Sequence, residues 1–317
     1  MPVFNEMISR TDANALVPVE QSKQIIQGIT EESAVLRMAT RLPNMTSKML
    51  SMPVLSSLPY AYFVDGDNGL KQTTKVEWDN KVITAEEVAV IVPVPDAVLA
   101  DSDYDIWTQI RPLVAQAFGQ VIDAAILYGN GAPASWPDAL LSGIEDAGNF
   151  VTVSDDGYND IMGPDGLIAL VEQDGYMVNG YMGSMKARGY LRGIRDQAGQ
   201  PLFRNGMTGG TTYQLDGQRI EFPQNGVMNM LNAPLLIGGD WSKLVYAIRQ
   251  DMTVTKSNQG VITDADGKVI YNLYQQDMTA LRFVMRLGWQ LPNPLSAMNA
   301  GNEQAFPFAA LKVSSPS

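Results

Sequence analysis

The sequence predicts an α+β fold. Three observations carry that reading. An apolar stripe at helical spacing runs through Ile106, Trp107, Ile110, Leu113, Val114, Ala117, Phe118, Val121, Ile122 and Ala125. Three β-prone stretches, Met52 to Val64 on one side and Thr73 to Trp78 and Val82 to Val94 on the other, flank the turn-rich Asp65-Gly-Asp-Asn-Gly69. Residues 150–276 then mix short helical and strand-like stretches, and a strand-rich return follows over 277–292.

Taken in order, residues 1–19 mix polar and apolar residues without a period and read as an extended arm. Residues 20–40 read as a helix through Ile25, Ile26, Ile29 and Leu36, ended by Arg41-Leu42-Pro43. Residues 50–95 read as a long two-stranded hairpin with an exposed tip. A lone hairpin is marginal in water, so a long one needs its own domain or a neighbouring subunit to lie on. Residues 103–128 form the clearest helix. Asp101 or Ser102 caps it, acidic residues crowd its start where the dipole favours them, and Gly129 ends it. Pro112 predicts a kink or a displaced start. After loop-like residues 130–150, a helix near 164–174, a strand over 176–182 and a helix over 184–196 open a compact α+β unit.

Composition narrows the function. The 317 residues suffice for one large domain or about two ordinary ones. Apolar residues make up 45% and charged residues 18%, so the chain folds. The charged share lies below the usual ~25%, which fits surface hidden against partners. With 22 basic and 34 acidic residues the net charge is −12, which argues against general nucleic-acid binding. There is no Cys and no His. That excludes disulfides, thiolate metal sites, His-liganded metals and the Ser-His-Asp triad. Carboxylates, Lys, Tyr, Ser and Thr remain for catalysis, and nothing singles out a carboxylate pair among 34 acids. Residues 1–10 have no apolar signal core, and the run Val88–Pro95 is far shorter than the ~20 residues a membrane helix needs. No cofactor, metal or membrane partner is expected.

Local motifs add little chemistry. Counted from Asp65, the calcium-loop positions for Gly and Glu hold Leu70 and Val76, and Asp264-Ala-Asp-Gly267 also fails; both read as hairpin turns. Gly129-Asn-Gly131 follows a helix, whereas a dinucleotide fingerprint follows a strand. Lys186, Arg188, Arg192 and Arg195 form a basic cluster, the three arginines sharing one helical face by spacing. A solvated face is the plain reading, and subunit contact is the sharper one.

In order and spacing, several blocks resemble the tailed-bacteriophage major capsid proteins of the HK97-fold family. They are Glu32-Ser-Ala-Val-Leu-Arg37, Ile91-Val-Pro-Val-Pro-Asp96, Asp101 to Trp107, Ile122 to Gly129, Leu191 to Gly199, Gly238-Gly-Asp-Trp-Ser242, and Ala280-Leu-Arg with Gly288-Trp289. The resemblance implies an HK97-like capsid fold: N-terminal arm at 1–47, extended E-loop at 48–87, P-domain with its spine helix at 88–148 and 277–317, and A-domain at 149–276. It implies hexamers and pentamers closing an icosahedral shell around double-stranded DNA, with no sequence-specific DNA contact and no enzymatic step. The expected location is the virion capsid, assembled in the bacterial host cytoplasm.

Met1 stands close before the arm motif, so no fused scaffold is expected. A separate scaffolding protein is then expected beside a portal and, in some shells, a cement protein. Candidate assembly contacts are Asp65, Asp67, Asn68, Lys71, Lys75 and Trp78 on the hairpin, and Arg188, Arg192 and Arg195. Some relatives weld their shells with a Lys–Asn isopeptide bond. The ingredients here would be Lys71 or Lys75 with Asn293, Asn299 or Asn302, and Glu303 as base. The alternatives are an encapsulin-like nanocompartment, a carboxylate-dependent hydrolase, and a monomeric binding module, which leaves the hairpin unexplained.

Overall fold

The structure is a computed structural model that describes residues 33–64, 71, 73–101, 106–195, 213–230, 233–294, 296–299 and 304–313. Its helices are α1 (Ala34–Met38), α2 (Asp96–Asp101), α3 (Ile106–Tyr128), α4 (Leu140–Asp146), α5 (Asn159–Met162), α6 (Leu167–Gln173) and α7 (Met185–Gly193). The strands through the first half are β1 (Thr40–Arg41), β2 (Met49–Ser57), β3 (Glu77–Thr84), β4 (Glu86–Pro95), β5 (Phe150–Thr152) and β6 (Gly180–Gly183). Those of the second half are β7 (Gln214–Leu215), β8 (Gln218–Glu221), β9 (Leu236–Gly239), β10 (Val245–Ser257), β11 (Val261–Thr263), β12 (Val269–Asn272), β13 (Met278–Gln290) and β14 (Phe308–Lys312).

Two sheets organise the chain. One runs β1-β10-β13-β4, and the other runs β5-β14-β9-β6-β8-β7. Helix α3 lies on the first. Its Val114 and Phe118 pack on Leu281 and Phe283 of β13 and on Val88, Val90 and Val92 of β4. Alternate residues of a strand share a face, which is why the even-numbered valines of β4 meet the helix together. Further along α3, Ile122, Ala125, Ile126 and Leu127 enter a larger core with Trp136, Leu140, Trp241, Trp289 and Phe308. That core joins the two sheets.

The helix departs from its expected amphipathic pattern. Leu113 and Val121 are 47% and 50% exposed, so its apolar stripe is wider than the fold covers. The segment Ile110–Tyr128 is long and apolar enough to cross a membrane by composition, yet half of it is buried inside the fold. Pro112 neither starts nor breaks the helix, which already runs from Ile106. The capping candidate Ser102 lies outside the described residues, as do the arm expected at 1–19 and most of the helix expected at 20–40. Gly129, at φ 73°, ends the helix as expected.

Strand pairing also cuts across the segment boundary expected at residue 277. Strand β10, from the 149–276 segment, pairs antiparallel with β13 along most of its length. Strand β14, from the 277–317 return, instead pairs with β9 and β5 in the six-stranded sheet. Likewise, β4 does not extend the hairpin but pairs with β13 from Met278↔Pro95 to Leu287↔Glu86.

Candidate assembly surfaces

Strands β2 and β3 form the expected hairpin, in register from Met49↔Thr84 to Ser57↔Glu77. At its base, Leu50, Met52 and Ile83 face inward and pack with Met45, Ala85, Val245 and Ala247. The contact with β13 is direct: a Cβ on Gly288 would lie 2.3 Å from the Thr84 carbonyl oxygen and 2.7 Å from Ile83 Cγ2. Lys48 and Glu86 make an ion pair at 3.3 Å where the hairpin leaves the sheet. Ser135 donates to the Glu86 carboxylate at 2.8 Å, and that bond chiefly holds the carboxyl below its ordinary pKa.

The other hairpin face carries exposed apolar side chains. Met49 is 59% exposed and Trp78, opposite Leu55, is 66% exposed. Beyond the ladder, Tyr60 and Phe63 stand almost wholly in solvent. Burying one such aromatic stabilises an interface by about 1.5–3 kcal/mol. Aromatic anchors of this kind dominate protein–protein contacts.

The start of the described chain is pinned to α3 by a buried carboxylate. Asp123, fully buried, accepts from the Ser33 hydroxyl at 2.5 Å and from the Ala34 and Val35 amides at 2.9 and 3.2 Å. The Asn225 side-chain amide adds a fourth bond at 2.7 Å. Ser33 in turn caps α1 by accepting from the Leu36 amide. Burial pushes the Asp123 carboxyl up from 3.8 to about 6, against the lowering effect of its donors. A lone Asp in an apolar stripe was readable in the sequence, but its partners, some ninety positions away, were not.

The expected contact residues separate in space and role. Asp65, Asp67 and Asn68 lie outside the described residues. Lys71 is exposed, Lys75 pairs with Glu77, and Trp78 presents its ring to solvent. The three arginines do not form one basic face, because α7 ends at Gly193 and Ile194 is extended, which takes Arg195 off the helix. Arg188 lies half-buried over the Tyr213 ring at 4.6 Å and the Phe222 ring at 5.5 Å, and donates to the Tyr213 hydroxyl at 2.9 Å. Arg192 bonds back to the Arg188 carbonyl at 3.1 Å. Arg188 is therefore a structural cation–π residue.

The asparagines of the return are used within the chain. Asn299 is buried; its oxygen accepts from Ser296, and its nitrogen donates to the Tyr176 hydroxyl at 2.8 Å. Tyr176 donates to Asn293, whose nitrogen donates to the Ala305 carbonyl at 2.8 Å. Asn302 and Glu303 lie outside the described residues. Among the described residues, no group of three or more acidic side chains is placed to hold a metal ion.

Comparison with known proteins gives the family. A family profile described as "Phage capsid family" matches residues 13–299. The major capsid protein of Staphylococcus phage 80alpha is 27% identical over 271 residues, spanning 84% of this chain and 79% of that protein. A solved chain from Microbacterium phage Oxtober96 is 35% identical with a TM-score of 0.85, covering 97% of this chain and 100% of its own. One from Mycobacterium phage Adephagia is 28% identical with a TM-score of 0.83, covering 98% and 100%.

Proposed function

Because the chain belongs to the phage capsid family, we propose that its copies form hexamers and pentamers that close an icosahedral shell around double-stranded DNA. Its α+β fold is HK97-like, and its role is that of a capsid shell protein. No feature of the chain or its relatives favours the encapsulin alternative.

The observation that carries the shell reading is the hairpin with a buried base and exposed apolar side chains, Met49 and Trp78, on its outer face. A neighbouring copy supplies the surface that the chain itself lacks, and small contacts repeated around a ring add up by multivalency. The net charge of −12 favours enclosing DNA over binding it. The shell acts without catalysis, in the virion, after assembly in the host cytoplasm. A separate scaffolding protein and a portal take part in assembly, and a cement protein is a further candidate partner.

The segment reading is an arm at 1–47, an E-loop at 48–87, and a P-domain and an A-domain; strand pairing supports grouping β4, β10 and β13 with α3 in the P-domain and β14 with the A-domain. Size-exclusion chromatography with light scattering, and negative-stain microscopy of each peak, tests the reading. Closed shells or rings of five and six copies are the expected result. A monomer that stays monomeric at high concentration overturns it.

A further inference from the structure

The four-stranded sheet has two unlike edges. On β4, Pro93 and Pro95 remove backbone donors, a device that blunts an edge against pairing. The outer edge of β10 has no such protection. Its first residues are covered by the chain itself, through the β1 pairs Thr40↔Val245 and Arg41↔Tyr246 and the bond from the Met45 amide to Ile248. From Asp251 to Ser257 no strand among the described residues lies alongside, and every residue is exposed. Of their partners on β13, Ala280, Leu281 and Phe283 are buried, Val284 is half-buried and Arg282 is exposed. The open stretch reads Asp-Met-Thr-Val-Thr-Lys-Ser, with β-branched residues at its centre and no Gly or Pro.

We infer that this open edge, residues 251–257, pairs antiparallel with the same edge of a second copy, across a two-fold axis through Val254. The inference rests on the shell reading above, which supplies the second copy. A two-fold normal to a sheet sets residues of equal parity opposite one another, and the stretch is self-complementary in that register. On one face Thr253 meets Thr255 of the second copy; Asp251 and Met252 lie within the register shift of β10 between Gln250 and Thr253, outside the regular alternation. On the other face Val254 meets itself. No like charges are opposed. The shared ladder would satisfy the free backbone groups on both copies.

The chain has no Cys, so Val254→Cys places a single thiol on the proposed axis. The control is Ile91→Cys, an exposed site on the proline-bearing edge. Assembled particles of each variant are oxidised with copper phenanthroline and run on a denaturing gel without reductant. Most Val254→Cys subunits should migrate as dimers, and Ile91→Cys subunits as monomers. The double variant Thr253→Cys/Thr255→Cys should also give dimers, and it serves if Val254→Cys does not assemble. Assembled particles that stay monomeric after oxidation with both β10 variants would overturn the pairing and leave the shell reading intact; the edge would then be covered by a hairpin or by the chain's own N-terminal residues. A wild-type protein that forms no assembly, seen independently by light scattering, would overturn both.

Discussion

Ser33 donates its hydroxyl to the carboxylate of Asp123, and this bond ties the start of the described chain to the C-terminal half of α3. The same carboxylate takes the Ala34 and Val35 amides, the first two of α1. Replacing it with Leu would leave those buried donors without an acceptor, each costing about 1–3 kcal/mol. The Asp123→Leu subunit should lose about 2–4 kcal/mol in urea unfolding. Amides 34 and 35 should lose hydrogen-exchange protection before the β13 core does. Equal protection of α1 in variant and wild type would refute this anchor.

The same group predicts a pH effect. Its pKa lies at about 6 in the folded chain against 3.8 ordinarily, chiefly through burial. The folded state thus keeps a proton that the unfolded chain releases. The stability this supplies is fully present below about pH 4 and lost as pH rises through about 6, amounting to about 3 kcal/mol. Other carboxylates act in the opposite sense, so the informative quantity is the difference between wild type and Asp123→Asn. Across pH 4–6 that difference should fall for wild type as pH rises. A flat difference would show that Asp123 titrates normally.

Gly288 leaves room for the hairpin base against β13. In Gly288→Ala the added methyl meets the Thr84 carbonyl oxygen, which belongs to the backbone and has little freedom to yield. Overpacking of this kind costs about 1–3 kcal/mol. Thermal unfolding should fall accordingly, and assembly should fail more sharply than folding because the hairpin is tilted at its root. An unchanged melting temperature would mean that the sheet yields more easily than its packing suggests.

Trp78 tests the hairpin's outer face. It is 66% exposed, so Trp78→Ala should leave the subunit's stability within about 0.5 kcal/mol of wild type. Shell yield by light scattering should drop strongly, and deletion of 65–75 should abolish shells while leaving a folded subunit. Normal shell yield from both variants would show that assembly does not use this face.

Covalent welding through the described asparagines is not expected. The Asn299 amide is buried and uses both its oxygen and nitrogen within the chain, and the Asn293 amide is engaged at both ends. Particles dissolved in hot detergent should run as a single monomer band. A ladder of multimers would place the acceptor at Asn302 or elsewhere.

Several features were legible in the sequence because they depend on neighbours along the chain. Apolar spacing marked α3, Gly129 marked its end, and Ser184 marked the start of α7, where its side chain accepts from the Ala187 amide. Strand propensity and turn residues marked β2 and β3, and the block order carried the family. Only the tertiary structure decided the rest. Local periodicity does not say that β10 pairs with β13 while β14 crosses to β9, since either strand could bury its apolar face on either sheet. It does not say that Asp123 meets Ser33, or that Arg188 stacks on Tyr213 and leaves the basic face that its spacing promised. Spacing determines which residues share a face; what that face meets depends on chain closure over long separations and on shape, which exist only in the folded chain.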